Sequence, residues 1–312
     1  MPDFHRITVA EVITETPDAC SLILDKTFDY RPGQYLTVRT PAGTRCYSLA
    51  SSPFTDTAPK VTVKRVRDGK VSNWICDNVR AGDVLEFSEP AGTFTPGSLD
   101  DDLLLLAGGS GITPIMGIIK AVRARGQGDL SLLYANRDPG SIIFKDELDA
   151  LLPVTHWLDD ERGVPTAEAL AEVLRSYPRG RDVFVCGPEA FVAVTEKALR
   201  LAGVPPSRIR VERFEIEQVD SREAIAEVTI DGQTHVLPWG PGMRLLDVII
   251  EAGLNPPYSC RQGQCGACAV RMLSGDVDLV NNEVLEEEDF AEGYILACQA
   301  VPLTDRVTVT YY

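Results

Sequence analysis

Four cysteines near the C-terminus of this 312-residue chain carry its most specific chemical signal: Cys260-x4-Cys265-x2-Cys268, then Cys298 after 29 intervening residues. Four thiolates are the ligand set of an iron–sulfur cluster, and this spacing is that of plant-type [2Fe–2S] sites. Gly263 and Gly266 fall inside the loop. Without a Cβ they let the backbone wrap closely and turn N–H groups toward the sulfurs. A structural zinc site and a disulfide pairing are the competing readings. Zinc more often takes paired C-x2–4-C knuckles, whereas the fourth cysteine here stands alone, so the spacing favours the cluster. The other four cysteines (Cys20, Cys46, Cys76 and Cys186) are scattered singly.

Small residues recur at two further places. The run LLLLAGGSGITP passes from an apolar strand, Leu103–Ala107, through Gly108-Gly109-Ser110-Gly111 to Thr113-Pro114 and a helical stretch ending near Ala124. Such a turn presents backbone amides and a helix N-terminus to a phosphate. Thr113-Pro114 stands where the G-x-G-x-x-G fingerprint has its third glycine, so the turn alone also fits a tight connection with no ligand. Cys186-Gly187-Pro188 ends a second apolar strand. Open α/β sheets bind ligands beyond the carboxyl ends of their strands, so two glycine-bearing strand ends reinforce each other. Taken singly, Cys186 also fits a small buried hydrophobe. Asp138, just past Tyr134-Ala135-Asn136, offers a carboxylate to ribose hydroxyls and repels a 2′-phosphate, favouring NADH over NADPH. Arg137 beside it works the other way, and an exposed loop aspartate is the alternative. In Arg45-Cys46-Tyr47-Ser48, an arginine suited to phosphate, a flat aromatic and a hydroxyl share one strand end. An ordinary strand with an exposed arginine is the alternative there.

The elements that must position these residues fall into distinct blocks. Residues 1–99 read as all-β: short β-rich runs such as YLTVRT, KVTVKRV and VLEFSE are separated by turn signals at Arg31-Pro32-Gly33 and Asp68-Gly69, which suggests a small antiparallel barrel. Residues 100–214 alternate apolar strands with helical stretches, the pattern of a parallel α/β sheet. Residues 215–224 are polar, without hydrophobic period, and read as a linker. Residues 225–312 open with two β runs around Asp231-Gly232, a hairpin signal, followed by a short helix over Leu245–Ile250 that Gly253 can terminate.

A net charge of −16 argues against nucleic acid and anionic membranes as partners. No apolar leader is visible, and the longest apolar run, Leu103–Ala107, is far short of the ~20 residues of a membrane span. A cytoplasmic location is expected. From residue 225 onward, 4 Lys+Arg stand against 13 Asp+Glu, six of the acids within Glu283–Glu292. They read either as a solvated helix face or as a surface that steers a basic protein partner.

The first two blocks resemble the ferredoxin–NADP reductase superfamily: R-x-Y-S in a barrel, G-G-x-G-I-T-P, then C-G-P. The third resembles a plant-type ferredoxin of β-grasp (α+β) fold. The order flavin, NAD, ferredoxin resembles the reductases of multicomponent, Rieske-type oxygenases, among them those of 3-ketosteroid 9α-hydroxylases. That likeness rests on SNWICDN (72–78), LLYANRD (132–138), HWL (156–158), ERF (212–214), YSCRQGQCGACAV (258–270) and EVLEEEDFAEGYILACQ (283–299). The resemblance implies roles. Arg45, Tyr47 and Ser48 would hold a flavin ring and phosphate; Thr62, Val63 and Lys64 would line its ribityl and adenine side; Lys70, Val71 and Ser72 would meet its pyrophosphate. Thr113 would touch the isoalloxazine. Ser110, Gly111, Cys186, Gly187 and Pro188 would bind the nicotinamide nucleotide, with Glu212 and Phe214 beside the flavin. Lys70–Trp74 resembles the FAD-binding form, with FMN the alternative. The implied activity is NADH oxidation through flavin and a [2Fe–2S] cluster to a terminal oxygenase; an aromatic-ring or phenylacetyl-CoA system, or a stand-alone diaphorase, is the alternative. Nicotinamide gives two electrons as a hydride, a cluster takes one, and a flavin does both.

Overall fold

The computed structural model describes residues 4–311 apart from Asp68, 215–221, Cys260, Gln262 and Glu283. Contacts divide the chain into two compact units that part between residues 215 and 216.

The first unit begins with β1 (His5–Thr16), β2 (Ala19–Leu24), β3 (Tyr35–Thr40), β4 (Gly43–Ser48), β5 (Lys60–Lys64) and β6 (Val84–Phe87), in the antiparallel order β4-β3-β6-β1-β2-β5. The two outer strands meet through the Leu49–Val61 bridge, where the Ala50 N–H donates to the Lys60 carbonyl at 2.8 Å. This closes the sheet into the expected barrel around Val9, Leu22, Leu24, Leu36, Val38 and Val61, none of which is exposed. The all-β reading misses one element, α1 (Lys70–Asn78). Its β-branched and aromatic residues look strand-like, yet Val71, Ser72 and Ile75 are the positions it buries, with Val71 and Ile75 four apart, which is the helical and not the strand period.

The same unit continues as β7 (Leu103–Gly108), α2 (Ile112–Arg125), β8 (Leu130–Asn136), α3 (Lys145–Leu151), β9 (Val154–Leu158), α4 (Asp159–Arg162), α5 (Ala167–Leu174), β10 (Asp182–Gly187), α6 (Glu189–Leu201) and β11 (Ile209–Arg213). The strands form one parallel sheet ordered β11-β10-β7-β8-β9. β7 lies in its middle with all six residues buried, hence its unbroken apolar run. The chain winds outward from β7 first to one side and then to the other, so the switch point falls between β7 and β10.

Barrel and sheet are joined by close packing and by buried charge. A Cβ on Gly117 of α2 would lie 2.8 Å from the Leu49 carbonyl oxygen and 3.0 Å from that of Ser51, so only glycine lets the helix approach this strand end. Nearby, Lys60 Nζ pairs with Glu147 Oε2 at 3.0 Å, and Lys120 Nζ with Asp56 Oδ1 at 2.8 Å and also with Glu147.

The second unit holds β12 (Ala224–Ile230), β13 (Gln233–Trp239), α7 (Leu245–Glu251), β14 (Ala269–Ser274), β15 (Val277–Leu279), α8 (Glu287–Ala291), β16 (Tyr294–Leu296), β17 (Ala300–Pro302) and β18 (Arg306–Thr310). The main sheet runs β13-β12-β18-β14-β16, with β12 and β18 parallel, and β15 pairs with β17 apart from it. This is the β-grasp expected of the block. Asp231 (φ 50°) and Gly232 (φ 74°) make the hairpin turn, both left-handed as a type I′ turn requires. α7 buries Leu245, Leu246, Val248 and Ile249. It ends at Gly253 (φ 76°), where the Gly253 N–H donates to Ile250 and the Leu254 N–H to Ile249, a Schellman stop. β12 reaches back to Ala224, into the segment read as linker; residues 215–221 of that segment lie outside the described residues.

Candidate functional site

In the second unit the cysteine loop is drawn tight by backbone that few residues tolerate. Arg261 (φ 59°), Gly263 (φ 78°) and Gly266 (φ 69°) are all left-handed, and a Cβ on Gly263 would sit 2.6 Å from the Asn281 carbonyl oxygen. The Ala297 N–H donates to the Cys268 carbonyl at 3.2 Å, which brings the residue before Cys298 against Cys268. Cys268 and Cys298 are buried and Cys265 is exposed; Cys260 lies outside the described residues. Among the described residues, no three His, Cys, Asp or Glu side chains form a metal-holding group. Gln299, 2% exposed, ties the loop down: its Nε2 donates to the Arg261 carbonyl at 2.9 Å and to Cys298 Sγ at 3.4 Å. The Arg261 guanidinium pairs with Asp247 on α7. Tyr311 Oη is buried without a hydrogen-bond partner among the described residues. Burial first, then the charges of Cys268 and Cys298, pushes its hydroxyl above the ordinary tyrosine range. The soft sulfur donors, an amide aimed at one of them and a loop held open to its own backbone fit a small iron–sulfur cluster. The acidic segment adjoins this loop: Val284 Cγ2 would lie 3.6 Å from a Cβ on Gly266. Glu286, Glu287 and Glu288 there are exposed; Glu283 lies outside the described residues.

In the first unit the two glycine-bearing strand ends meet. A Cβ on Gly111 would collide with the Cys186 carbonyl oxygen at 2.0 Å; one on Gly187 would come within 3.1 Å of Gly108 Cα and 2.7 Å of the Phe191 ring. Ser110 is half-buried with its carbonyl accepting from Thr113 Oγ1 at 3.0 Å, and Thr113 is buried. Pro188 is exposed at the start of α6. Cys186 and Glu212 are paired across β10 and β11. Glu212 is 1% exposed, and Phe214 packs on the core that contains Cys186. Burial above all, and then the Glu212 charge, holds the Cys186 thiol well above its ordinary value. That shift favours the neutral thiol at neutral pH.

Two residues that sequence reasoning left without a role complete the turn. Tyr134, fully buried, donates its hydroxyl to the Gly109 carbonyl at 2.9 Å and accepts from the Ile143 N–H at 3.3 Å. Gly117 sets the approach of α2 to the barrel; an isolated glycine inside an apolar helix was the available signal. Lys64 is also placed unexpectedly. Its Nζ would lie 3.1 Å from a Cβ on Gly109 (φ 51°), so the barrel delivers a cation to the glycine turn. Burial and then Arg137 lower its pKa, while Asp18 and Asp138 oppose them. A cavity of about 210 Å³ opens beside it, lined among others by Lys64, Asp138, Ser141 and Asp18. Asp138 Oδ2 accepts from Ser141 Oγ at 3.0 Å, and Arg137 pairs with Asp18 at 3.0 Å. A bare left-handed glycine under an ammonium suits a diphosphate.

On the barrel, Arg45 is exposed, its Nη1 on the Thr44 carbonyl at 2.8 Å. Burial, opposed by the Arg45 charge, pushes the Tyr47 hydroxyl above its ordinary range. Ser48 Oγ is buried with no partner among the described residues, which suits a polar ring edge. α1 packs against β4 and β5; Lys70 is exposed, Val71 and Ser72 are buried, and Val71 Cγ2 would lie 3.4 Å from a Cβ on Gly43, at the start of β4. Ser72 Oγ already accepts from the Val66 N–H at 3.3 Å. Thr62 and Val63 are buried, Thr62 bonded to Ser21 at 2.7 Å.

Three family models match the chain in order: an oxidoreductase FAD-binding domain over residues 6–95, an oxidoreductase NAD-binding domain over 105–197 and a 2Fe-2S iron-sulfur cluster binding domain over 228–303. The chain is similar to the 3-ketosteroid-9-alpha-monooxygenase ferredoxin reductase component of Rhodococcus rhodochrous, 44% identical over 98% of this chain and 96% of the relative. It is also similar to a component of the 1,2-phenylacetyl-CoA epoxidase of Escherichia coli (strain K12), 30% identical over 100% of this chain and 98% of the relative. In fold it is similar to the solved structure of phthalate dioxygenase reductase, with a TM-score of 0.75 at 24% identity, covering 99% of this chain and 98% of that one.

Proposed function

This chain belongs to the family of oxidoreductases with FAD-binding, NAD-binding and 2Fe-2S domains that includes the ferredoxin reductase components of 3-ketosteroid 9α-monooxygenases, and on that premise we propose that it supplies a steroid-hydroxylating terminal oxygenase with electrons from NADH. FAD held by this chain would supply the chemistry that takes up one two-electron hydride and passes electrons on singly, and a [2Fe–2S] cluster would take them one at a time. The residues of the chain bind, orient and exclude. Ser110, Gly111, Gly187 and Pro188 cradle the nucleotide beneath Lys64; Asp138 takes the ribose. Cys186, Glu212, Phe214 and Thr113 would bound the space for the nicotinamide and flavin rings. Arg45, Tyr47, Ser48 and the first turn of α1 hold the flavin, with Thr62, Val63 and Lys64 along its length. Cys260, Cys265, Cys268 and Cys298 hold the cluster. The three-domain division at residues 1–99, 100–214 and 225–312, with a linker at 215–224, belongs to the same proposal.

The observation that carries the electron exit is the exposed Cys265 in a loop bordered by the acidic segment. Glu286, Glu287, Glu288 and Asp289 rim it, and the exposed Val284 and Phe290 give an apolar centre. This is the pattern of an electrostatically steered docking patch. A basic patch on the oxygenase is the complement. No helix among the described residues is long and apolar enough to cross a membrane, and a cytoplasmic location is part of the proposal. The test is reconstitution with purified oxygenase components. A 3-ketosteroid oxygenase should turn over with this reductase and NADH, at a rate that falls steeply as salt is raised. Turnover with a phenylacetyl-CoA-type oxygenase and none with the steroid enzyme would favour the reading that the second relative suggests.

A further inference from the structure

Outside these sites the barrel contains a second pair of sulfurs. Cys20 on β2 and Cys76 on α1 are 56 residues apart in sequence, and their Sγ atoms are 3.5 Å apart. We propose that they form a redox-active dithiol: Cys76 is the thiol attacked by a hydroperoxide, and Cys20 resolves it into an intramolecular disulfide.

The two sulfurs differ in the way this chemistry needs. Cys20 is 8% exposed, whereas Cys76 is only half-buried, so Cys76 is the more accessible of the two. The Cys20 S–H donates to Cys76 Sγ, which places anionic character on Cys76. That bond first, and the Arg65 guanidinium among the weaker influences, lower the Cys76 pKa against the opposing effect of burial and of Asp77. The bond to Cys76 and burial push Cys20 upward. Arg65 is kept close by its pair with Asp77, at 2.7 Å. A half-buried thiol of lowered pKa beside a buried, protonated partner is the arrangement of redox-sensing cysteines. The pair is also held in place: Cys20 lies opposite Val63 in the β2–β5 ladder, and the Val63 carbonyl accepts from Cys76 Sγ at 3.7 Å when that sulfur is protonated.

The steps balance. The Cys76 thiolate attacks one peroxide oxygen, the O–O bond breaks, and the leaving oxygen departs as water or an alcohol after taking a proton from solvent; Cys76 is left as the sulfenic acid. The Cys20 sulfur then attacks the Cys76 sulfur, the S–O bond breaks, and hydroxide leaves with the Cys20 proton as water. Two thiols lose two electrons to one hydroperoxide. A dithiol reductant reverses the bond by returning two electrons and two protons.

The test uses the holoprotein, with flavin and cluster in place, treated with equimolar hydrogen peroxide, alkylated, digested and mapped by mass spectrometry. The expected product is a peptide pair joining Cys20 to Cys76 that dithiothreitol separates. In Cys20→Ser the link should vanish and dimedone should trap Cys76 as the sulfenic adduct, while NADH–ferricyanide activity reports an intact fold. Recovery of both cysteines as alkylated thiols under conditions that oxidise other cysteines of the chain would overturn the proposal. So would a link from Cys76 to Cys46 instead of Cys20, or a Cys20→Ser protein whose Cys76 stays unmodified.

Discussion

The Gln299 amide directs both its bonds to the cysteine loop, one to the Arg261 carbonyl and one to Cys298 Sγ. Its own carbonyl oxygen on the main chain accepts from Arg244, a buried guanidinium, at 3.1 Å. Hydrogen bonds donated to cluster sulfurs stabilise the more negative, reduced state and raise the reduction potential. Gln299→Leu keeps the volume and removes the donor. The expected result is a fall in cluster potential on the order of tens of mV, the equivalent of about 1 kcal/mol for one hydrogen bond, read by EPR-monitored redox titration. Flavin content should not change. This residue was not legible in the sequence: it follows Cys298 directly, but chain order does not say which way an amide points. The cysteine spacing was legible because ligand type and loop length are local properties of the chain.

At the scale of elements, the approach of α2 to the barrel is the most sensitive contact. Gly117→Ala introduces a methyl group 2.8 Å and 3.0 Å from two backbone oxygens, neither of which is free to swing away. It should cost about 1–3 kcal/mol as an overpacked site, seen as a lower Tm and as weakened flavin retention on gel filtration. The Lys60–Glu147–Lys120–Asp56 group fastens the same joint. Lys120 is 8% exposed; burial alone would lower its pKa, but the bonds and charges of Asp56 and Glu147 outweigh this and raise it above the ordinary 10.5. A cation whose folded pKa is raised stabilises fully below its unfolded value and loses that contribution as pH climbs through the folded one. Lys120→Met should therefore cost stability at neutral pH, about 2 kcal/mol. That lies below the range for fully buried pairs because Glu147 and Asp56 remain partly exposed. The difference in Tm between wild type and variant should persist up to about pH 10 and shrink above it, as scanning calorimetry over pH 8–12 will show. The inner strands β7, β8 and β10 were legible as apolar runs, while the edge strands β9 (VTHWL) and β11 (IRVER) carry too many polar residues to stand out; the hairpin at Asp231-Gly232 was legible as a turn that demands left-handed residues. α1 was not, since its composition suits a strand and only packing on β4 and β5 reveals the helical period. The delivery of Lys64 to Gly109 was hidden for a related reason: it depends on how two elements meet, which no local pattern encodes.

For the molecule as a whole, the order of the modules is the functional statement: a nucleotide-binding sheet and a flavin barrel in one compact unit, a cysteine-bearing β-grasp in the other. With docking at the C-terminal block as proposed, its acidic balance calls for a basic partner surface. The central claim is that electrons from NADH leave through the cysteine loop. Anaerobic NADH titration of the wild-type protein and of Cys265→Ala, followed by visible absorbance and EPR, with ferricyanide and cytochrome c as acceptors, tests it most directly. Wild type should show bleaching of both flavin and cluster bands and reduce both acceptors, whereas Cys265→Ala should bleach the flavin alone, still reduce ferricyanide and no longer reduce cytochrome c. Undiminished cytochrome c reduction by Cys265→Ala would contradict it.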